Sequence, residues 1–476
     1  MRTTLRFCLA AQLAVALPVV LAGCTLGQTF VECNSDTDCT PVNGKKLYCS
    51  PENLCVAGTP ISKLCTDVYP ATAPADSVVV GALVNTKTGS DGLTLLAMKQ
   101  AIDEMSDLRV QTGERALALR VCEIGGAEED ASKSMRLLAR TYGAVAVLGP
   151  SSSKNLLAVA DEVTASGVPI MSASASSPSI TDLPGSALFF RVAPSDVLQG
   201  PILASRLAPA ATTSDTYSII AVNDAYGTGL QEAFLKSYNK TPIAAYQYDE
   251  KSGDAAFLAA QSMALIKTTD MLKQSMPSPT VLIAITNSFT AEVVKALQGL
   301  NAATKIVMAD GAKNDSLLAL VGAAGSPINT HLARITGTSP TVDLADKNKT
   351  GAYNAFLTSF LQKWKVKADT SIYTAYAYDA AYAVGIAISA ASKDGGSVTA
   401  GRVSEMLLRF NGTNRITVGR NNYLAAKNFL AGSPGFTLQG ATGDIRFTPH
   451  GDRLGGLYEV WGIDVTKPAF TSTPAN

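Results

Sequence analysis

"AVLGPSSSKNLLAVADEVTASGVPIMSASASSPS", residues 146–179, holds a strand, a helix and a second strand in one continuous reading. The first apolar run ends at Leu148 and Gly149-Pro150 breaks it. Ser151, Ser152 and Ser153 then stand where a helix begins, with Leu156, Ala160 and Val163 spaced to form its inward face and Gly167 placed to stop it. "GVPIM" opens the next buried strand, which ends in five serines across residues 172–179. One serine suffices to cap a helix. Three of them, beside the unpaired amides of a helix start, make a site for an anion such as a carboxylate.

The same grammar extends in both directions. "SVVVGALV", "ALALRVC", "AVAVLG", "GVPIMS" and "ALFFRVA" are apolar runs of a length suited to strands buried on both faces, with helical periods over 93–106 and 130–142 between them. A second series follows: "YSIIAVN", a helix near 228–238, "IAAYQYD", a long helix from about 254, "TVLIAIT", another helix and "KIVMAD". Alternating strand and helix predicts parallel sheets covered on both sides, and two such series predict an α/β chain of two Rossmann-like lobes around a cleft. In open sheets of this kind ligands gather at the carboxyl ends of strands, where both serine clusters lie. Helices are expected over 351–366 and 372–392; in the latter Tyr373, Ala377, Ala380, Val384 and Ala387 recur at helical spacing and read as packing. "GDIRFTPHGDRLGGLYEVWGI" reads as a terminal hairpin turning at Gly451, Asp452, Gly455 and Gly456.

The chain has 476 residues, 47% hydrophobic and 16% charged, with 39 basic and 39 acidic side chains, so no net field draws it to nucleic acid or to an anionic membrane surface. Arg2 and Arg6 precede the apolar stretch "FCLAAQLAVALPVVLAGC", which reads as an export signal over 1–23. Leu21-Ala22-Gly23-Cys24 resembles the lipobox of bacterial lipoproteins, which implies acylation of Cys24 and a soluble domain tethered by lipid alone at the periplasmic face or cell surface of a bacterial membrane; the blander reading is an ordinary signal peptide with a chance cysteine. Residues 24–75 form a polar, cysteine-rich stalk or mini-module. Cys33, Cys39, Cys49, Cys55, Cys65 and Cys122 allow fifteen pairings, among which spacing does not choose. We expect Cys33–Cys49 interleaved with Cys39–Cys55, and Cys65 tied to Cys122, since those two flank the first two strands. A zinc site is the rival, set against the lack of histidine in the stretch and the oxidation of exported thiols.

"LGPSSS", "GVPIMSASASSPSIT", "LFFRVAPSDVLQG", "NDAYGTGL" and "AYAYDAAYAVGIAI" together resemble the type I periplasmic binding proteins of branched-chain amino acid ABC transporters, over roughly residues 77–465. The resemblance implies a free amino acid held between two lobes joined by a three-stranded hinge. It implies that Ser153, Ser174 and Ser176 hold the ligand's carboxylate, that Tyr226 covers it, that Asp310 meets its ammonium group, and that Phe289 lines the pocket. It further implies chain crossings near 196, 340 and 446, giving a first lobe of 76–196 plus 340–445 and a second of 197–339 plus 446–468. From the residues alone, Asp310 reads equally as a turn or cap residue before a helix near Asn314. The loop "NTKTGSDG" lacks an aromatic residue that some relatives carry, which leaves the preferred side chain open.

Enzyme readings find little footing. The histidines are His331, beside a strand, and His450, in the terminal hairpin, and no G-x-S-x-G elbow accompanies them. "GTGLQE" lacks the third glycine of a dinucleotide fingerprint, and no Walker P-loop occurs, so the energy for transport would come from ABC permease and ATPase partners. No cofactor or metal is expected. The expected function is a substrate-binding lipoprotein of an ABC importer; the alternative is a sensor lipoprotein with the same cleft that signals to a partner, and a weaker one is an adhesion unit that has lost its ligand.

Overall fold

The computed structural model describes residues 63–475 apart from 87–88, 126–127, 208–215, 250–263, 265–266, 275–279, 287–289, 299, 301, 343–350, 393–396 and 433–434, and before them residues 32–33, 38–41, 47–49 and 54–57. It comprises two compact units, Met1–Val56 and Ala57–Asn476. In the small unit β1 (Leu47–Cys49) lies against β2 (Cys55–Ala57). Cys39 and Cys55 form the expected disulfide. Cys33 is buried and disulfide-bonded, while the side chain of Cys49, like Cys24 and the export signal, lies outside the described residues.

The large unit holds two main sheets. In the first, β3 (Asp67–Tyr69), β4 (Val78–Val84), β5 (Leu117–Glu123), β6 (Ala146–Leu148), β7 (Ile170–Ser172) and β8 (Phe189–Arg191) are ordered β3-β5-β4-β6-β7-β8, parallel except for the edge strand β3. Successive side chains of a strand leave on opposite faces, so each strand feeds two cores. Val80, Ala82, Leu119, Ala146, Leu148, Met171 and Phe190 enter one core, packed under α1 (Gly89–Gln111) and under helices from 352–432. Leu83, Cys122, Val147, Ile170 and Phe189 enter the other, under α2 (Glu128–Arg136), α3 (Ser153–Ala158) and α4 (Ala160–Ser166). That double burial is why these strands read as unbroken apolar runs. The helix expected over 130–142 is α2 followed by a π-helical turn at Leu137–Thr141. Cys65 and Cys122 are joined as expected, pinning the approach to β3 onto β5.

The chain then runs through α5 (Asp196–Leu207) to β9 (Tyr217–Val222), α6 (Ala225–Ser237), β10 (Ala244–Tyr248), β11 (Val281–Ile285), β12 (Lys305–Met308) and β13 (Ile335–Thr341). These strands are parallel in the order β10-β9-β11-β12-β13, which repeats the β5-β4-β6-β7-β8 pattern of the first sheet. A separate core of Ile219, Leu230, Phe234, Leu282, Ile283, Ile306 and Trp461 fills this half.

The expected terminal hairpin is not one. After β14 (Arg415–Thr417) and β15 (Thr437–Gly440), β16 (Gly443–Ile445) pairs with β15, whereas β17 (Leu457–Asp464) pairs with β13 on one side and β18 (Ala469–Pro474) on the other. The turn exists, closed by a bridge between Phe447 and Arg453, but its arms serve different sheets. The reason is capture: β17 makes six residues of antiparallel register with β13, and the indole of Trp461 lies on Gly337, where a Cβ would sit 2.2 Å from it.

Candidate functional site

The two serine clusters meet. Gly149 takes φ +84, a left-handed conformation, and its α-carbon lies so close to the Leu83 carbonyl that a Cβ would be 2.3 Å from it, which fixes how the loop after β6 leaves the sheet. Ser152 caps α3 by accepting from the Asn155 amide at 3.2 Å. The other hydroxyls stitch the loop after β6 to the loop after β7. Ser172 Oγ donates to the Pro150 carbonyl at 2.6 Å and accepts from the Ala175 amide at 3.0 Å. Ser174 Oγ donates to the Ser151 carbonyl at 2.8 Å, and Ser153 Oγ accepts from the Ser177 amide at 3.2 Å, its own hydroxyl proton having no acceptor among the described residues. Ser176 Oγ donates to Asp196 Oδ2 at 2.9 Å, and the Asp196 amide returns a bond to the Ser176 carbonyl at 2.9 Å.

Arg191, fully buried at the end of β8, holds this loop in place. Its guanidinium pairs with Asp452 at 2.6 Å and donates to the Ser177 carbonyl at 2.6 Å and to Thr181 Oγ1 at 2.8 Å. Beside the cluster, Asp91 of α1 accepts from the Asn85 amide at 2.9 Å and hydrogen-bonds Ser151.

Asp310 follows β12 and is 5% exposed. It is not the helix cap of the alternative reading, because Asn314 fills that role by accepting from the Ser316 amide. Tyr226, in the first turn of α6, donates its hydroxyl to Asp310 Oδ1 at 2.8 Å and accepts from the Gly311 amide at 3.2 Å. The second oxygen, Oδ2, accepts from Tyr373, the first residue of the helix Tyr373–Ala391 that packs on the other core. Asp310 therefore stands where the two halves of the large unit meet, linked to both.

Electrostatics single out a residue that the sequence reading passed over. Asp196 is fully buried, its carboxyl pushed well above the usual carboxylate range by burial and then by the charge of Asp310, against the opposing effects of Ser176 and Arg191. Its Oδ1 has no hydrogen-bond partner among the described residues. Burial, followed by the charges of Asp310 and Asp196, also holds the phenols of Tyr226, Tyr373 and Tyr458 well above their ordinary range, so all three stay neutral donors. Asp310 accepts from two phenols, Tyr458 donates to the Ser195 carbonyl at 3.3 Å, and Asp196 joins the hydroxyl cluster, an arrangement suited to one end of a small dipolar molecule at the acids and the other at the hydroxyls.

Residues 93–466 match the family model described as the receptor family ligand binding region. The chain belongs to this receptor family. Its ligand-binding region has the type I periplasmic binding fold: LivJ of Streptococcus pneumoniae, solved with isoleucine, superposes at TM-score 0.59 and 16% identity over 84% of this chain and 100% of that one. The leucine binding protein LivK of Thermotoga maritima gives 0.60 at 15% identity over 83% and 97%. A solute binding protein of R. palustris, solved with benzoate, gives 0.55 at 16% identity over 84% and 96%. No curated protein matches. Among the described residues no helix is long and apolar enough to cross a membrane.

Of the expected site residues of this receptor-family chain, Ser153, Ser174 and Ser176 share one hydrogen-bonded cluster, and Tyr226 and Asp310 are bonded to each other; Phe289 lies outside the described residues. The structure sets Asp196, Tyr373 and Tyr458, outside the expected set, beside these residues. Asp196 had a signal, since it sits in the quoted "FFRVAPSDVLQG". Tyr373 packs against the core as its helical spacing predicts, and its hydroxyl meets Asp310 as well.

Proposed function

We propose that this protein captures a free amino acid in the cleft between its two halves, as the substrate-binding lipoprotein of an ABC importer. The α-carboxylate takes the Ser153 hydroxyl and the neighbouring groups of Ser174 and Ser176, and the α-ammonium lies between Asp196 and Asp310, with Tyr226 over it. No bond is made or broken; ligand that bridges the halves biases a hinge. The hinge is made by the crossings near 196, 340 and 446, so that residues 340–445 rejoin the first lobe. Export and a lipid anchor at Cys24 complete the reading, with permease subunits as partners. The observation that carries it is the fully buried Asp196, bonded to a serine of one cluster and within the field of Asp310 from the other half.

Thermal denaturation against a panel of L-amino acids tests it. A bound ligand at about 100 times its dissociation constant adds about 2.7 kcal/mol of stability. Asp310→Ala should lose that shift, and a panel in which no amino acid moves the melting temperature would overturn the reading.

A further inference from the structure

The two halves of the large unit touch at a helix that carries a glycine where any side chain would collide. Gly229 lies inside α6, whose Leu230 and Phe234 belong to the core of the second sheet. A Cβ at Gly229 would stand 2.7 Å from Ser177 Oγ and 2.8 Å from Pro178 Cδ. Those two residues belong to the other half: they follow β7, and Ile180, at the end of the same short turn, is buried in the core that β6 and β7 feed. Ser177 Oγ can turn aside, but Pro178 Cδ is part of a ring closed on the backbone. Carbon atoms in contact rest roughly 3.5–4.0 Å apart, so a methyl group at 229 has to push α6 back by about 1 Å, and a larger side chain by more.

The surface it pushes against is held from behind. The Ser177 amide donates to Ser153 Oγ at 3.2 Å, and the Ser177 carbonyl accepts from the buried Arg191 guanidinium at 2.6 Å. Gly229 comes three residues after Tyr226, so the two share one side of α6, and whatever lifts Gly229 away also lifts the phenol that bonds Asp310. Lys154 of α3 meets the same end of α6, near enough to the capping Asp224 to favour its charged form. Gly227 supplies the contrast. A Cβ there would lie 1.8 Å from the Val222 carbonyl at the end of β9, so packing within one half demands that glycine. At Gly229 the three nearest atoms all belong to Ser177 and Pro178. Inside a helix glycine is the poorest residue after proline, so α6 gives up helical stability for an approach that the other half alone requires.

We propose that Gly229 sets how far the cleft closes: the side of α6 bearing Tyr226 and Gly229 shuts against Ser177 and Pro178, and a side chain at 229 holds the halves apart. This rests on the reading of the cleft as one that closes on a ligand, and adds the residue that permits the closure.

Gly229→Ala and Gly229→Leu in the full chain, with Gly227→Ala as control, test it. In ligand-free buffer Gly229→Leu should show a larger radius of gyration by small-angle scattering than the native chain, with Gly229→Ala between them. Both should melt no lower than the native chain, because opening relieves the clash and both residues favour the helix, whereas Gly227→Ala should melt lower. For each standard L-amino acid that the native chain binds, Gly229→Leu should bind at least about tenfold more weakly, with the loss in the dissociation rate and the association rate unchanged. A native radius of gyration in Gly229→Leu, a Gly229→Ala chain that melts as low as Gly227→Ala, or a loss of affinity carried by slower association overturns the proposal, since the contact is then fixed packing. A native chain that binds none of the amino acids overturns the amino-acid reading instead, and the scattering comparison still decides the closure.

Discussion

Asp379 and Asp91 are carboxyl groups that folding has buried without an ion pair among the described residues, Asp379 with only the field of Arg453 as a cation to offset its burial. Asp379 accepts from the amides of Ala441 and Thr442, both at 2.8 Å, and from the Thr442 hydroxyl at 2.7 Å, yet burial still pushes its carboxyl up to about 6. Burial pushes Asp91 up to about 6 as well, against the hydrogen bonds from Ser151 and Asn85. Each therefore binds its proton more tightly folded than unfolded, so each lowers stability as pH rises from about 4 through 6, with the penalty complete above that window. Melting temperature should rise between pH 7 and pH 5 to the extent these acids dominate, and Asp91→Asn should flatten the slope; scans at pH 5, 6 and 7 check both. Asp379→Ala strands three buried donors, and equilibrium urea unfolding should show a loss of about 3 kcal/mol or more. Neither burial nor partner is visible in the sequence, because Asp379 meets residues some sixty positions away. The positions of the serines were legible for the opposite reason: each cluster follows a strand end, a local signal, on two adjacent strands, although their bonds to each other span more than twenty residues.

The helix Tyr373–Ala391 shows where reading by element succeeds and where it stops. Its existence was plain from composition, but every residue from Thr374 to Ala391 is buried, so an apolar stripe has no outer face to be measured against. What ties it to the rest of the unit is its first turn, where Tyr373 reaches Asp310 and Tyr376 donates to the Thr341 carbonyl at 3.1 Å, contacts that depend on a sheet assembled from distant strands. Tyr373→Phe removes one tie between the halves while keeping the ring. In ligand-free buffer its radius of gyration by small-angle scattering should exceed that of the native chain, and an unchanged radius would show that the hydroxyl is no tie. The misread hairpin teaches the same limit: turn glycines announce a turn, but β17 belongs to whichever edge offers the better partner, and β13 offers Gly337 beneath Trp461.

At the scale of the molecule, alternating strands and helices were enough to give two parallel sheets, since burial on both faces leaves an apolar run in any context. The order within each sheet and the way the halves meet came from pairings across the chain. Cys65–Cys122 is the covalent member of that set, closing a separation of 57 residues, and a loop of that size restrains the unfolded chain by about 4 kcal/mol. The double variant Cys65→Ser, Cys122→Ser should lose up to that amount in urea unfolding, and reductant should then have less effect on the large unit than in the native protein. The bonds that Tyr226 and Tyr373 make to the two oxygens of Asp310 bear on selection. On the proposed reading, a visiting amine would have to win its place by exchange against incumbent phenols, so weak hydrogen-bond donors would be turned away by competition before shape is ever consulted.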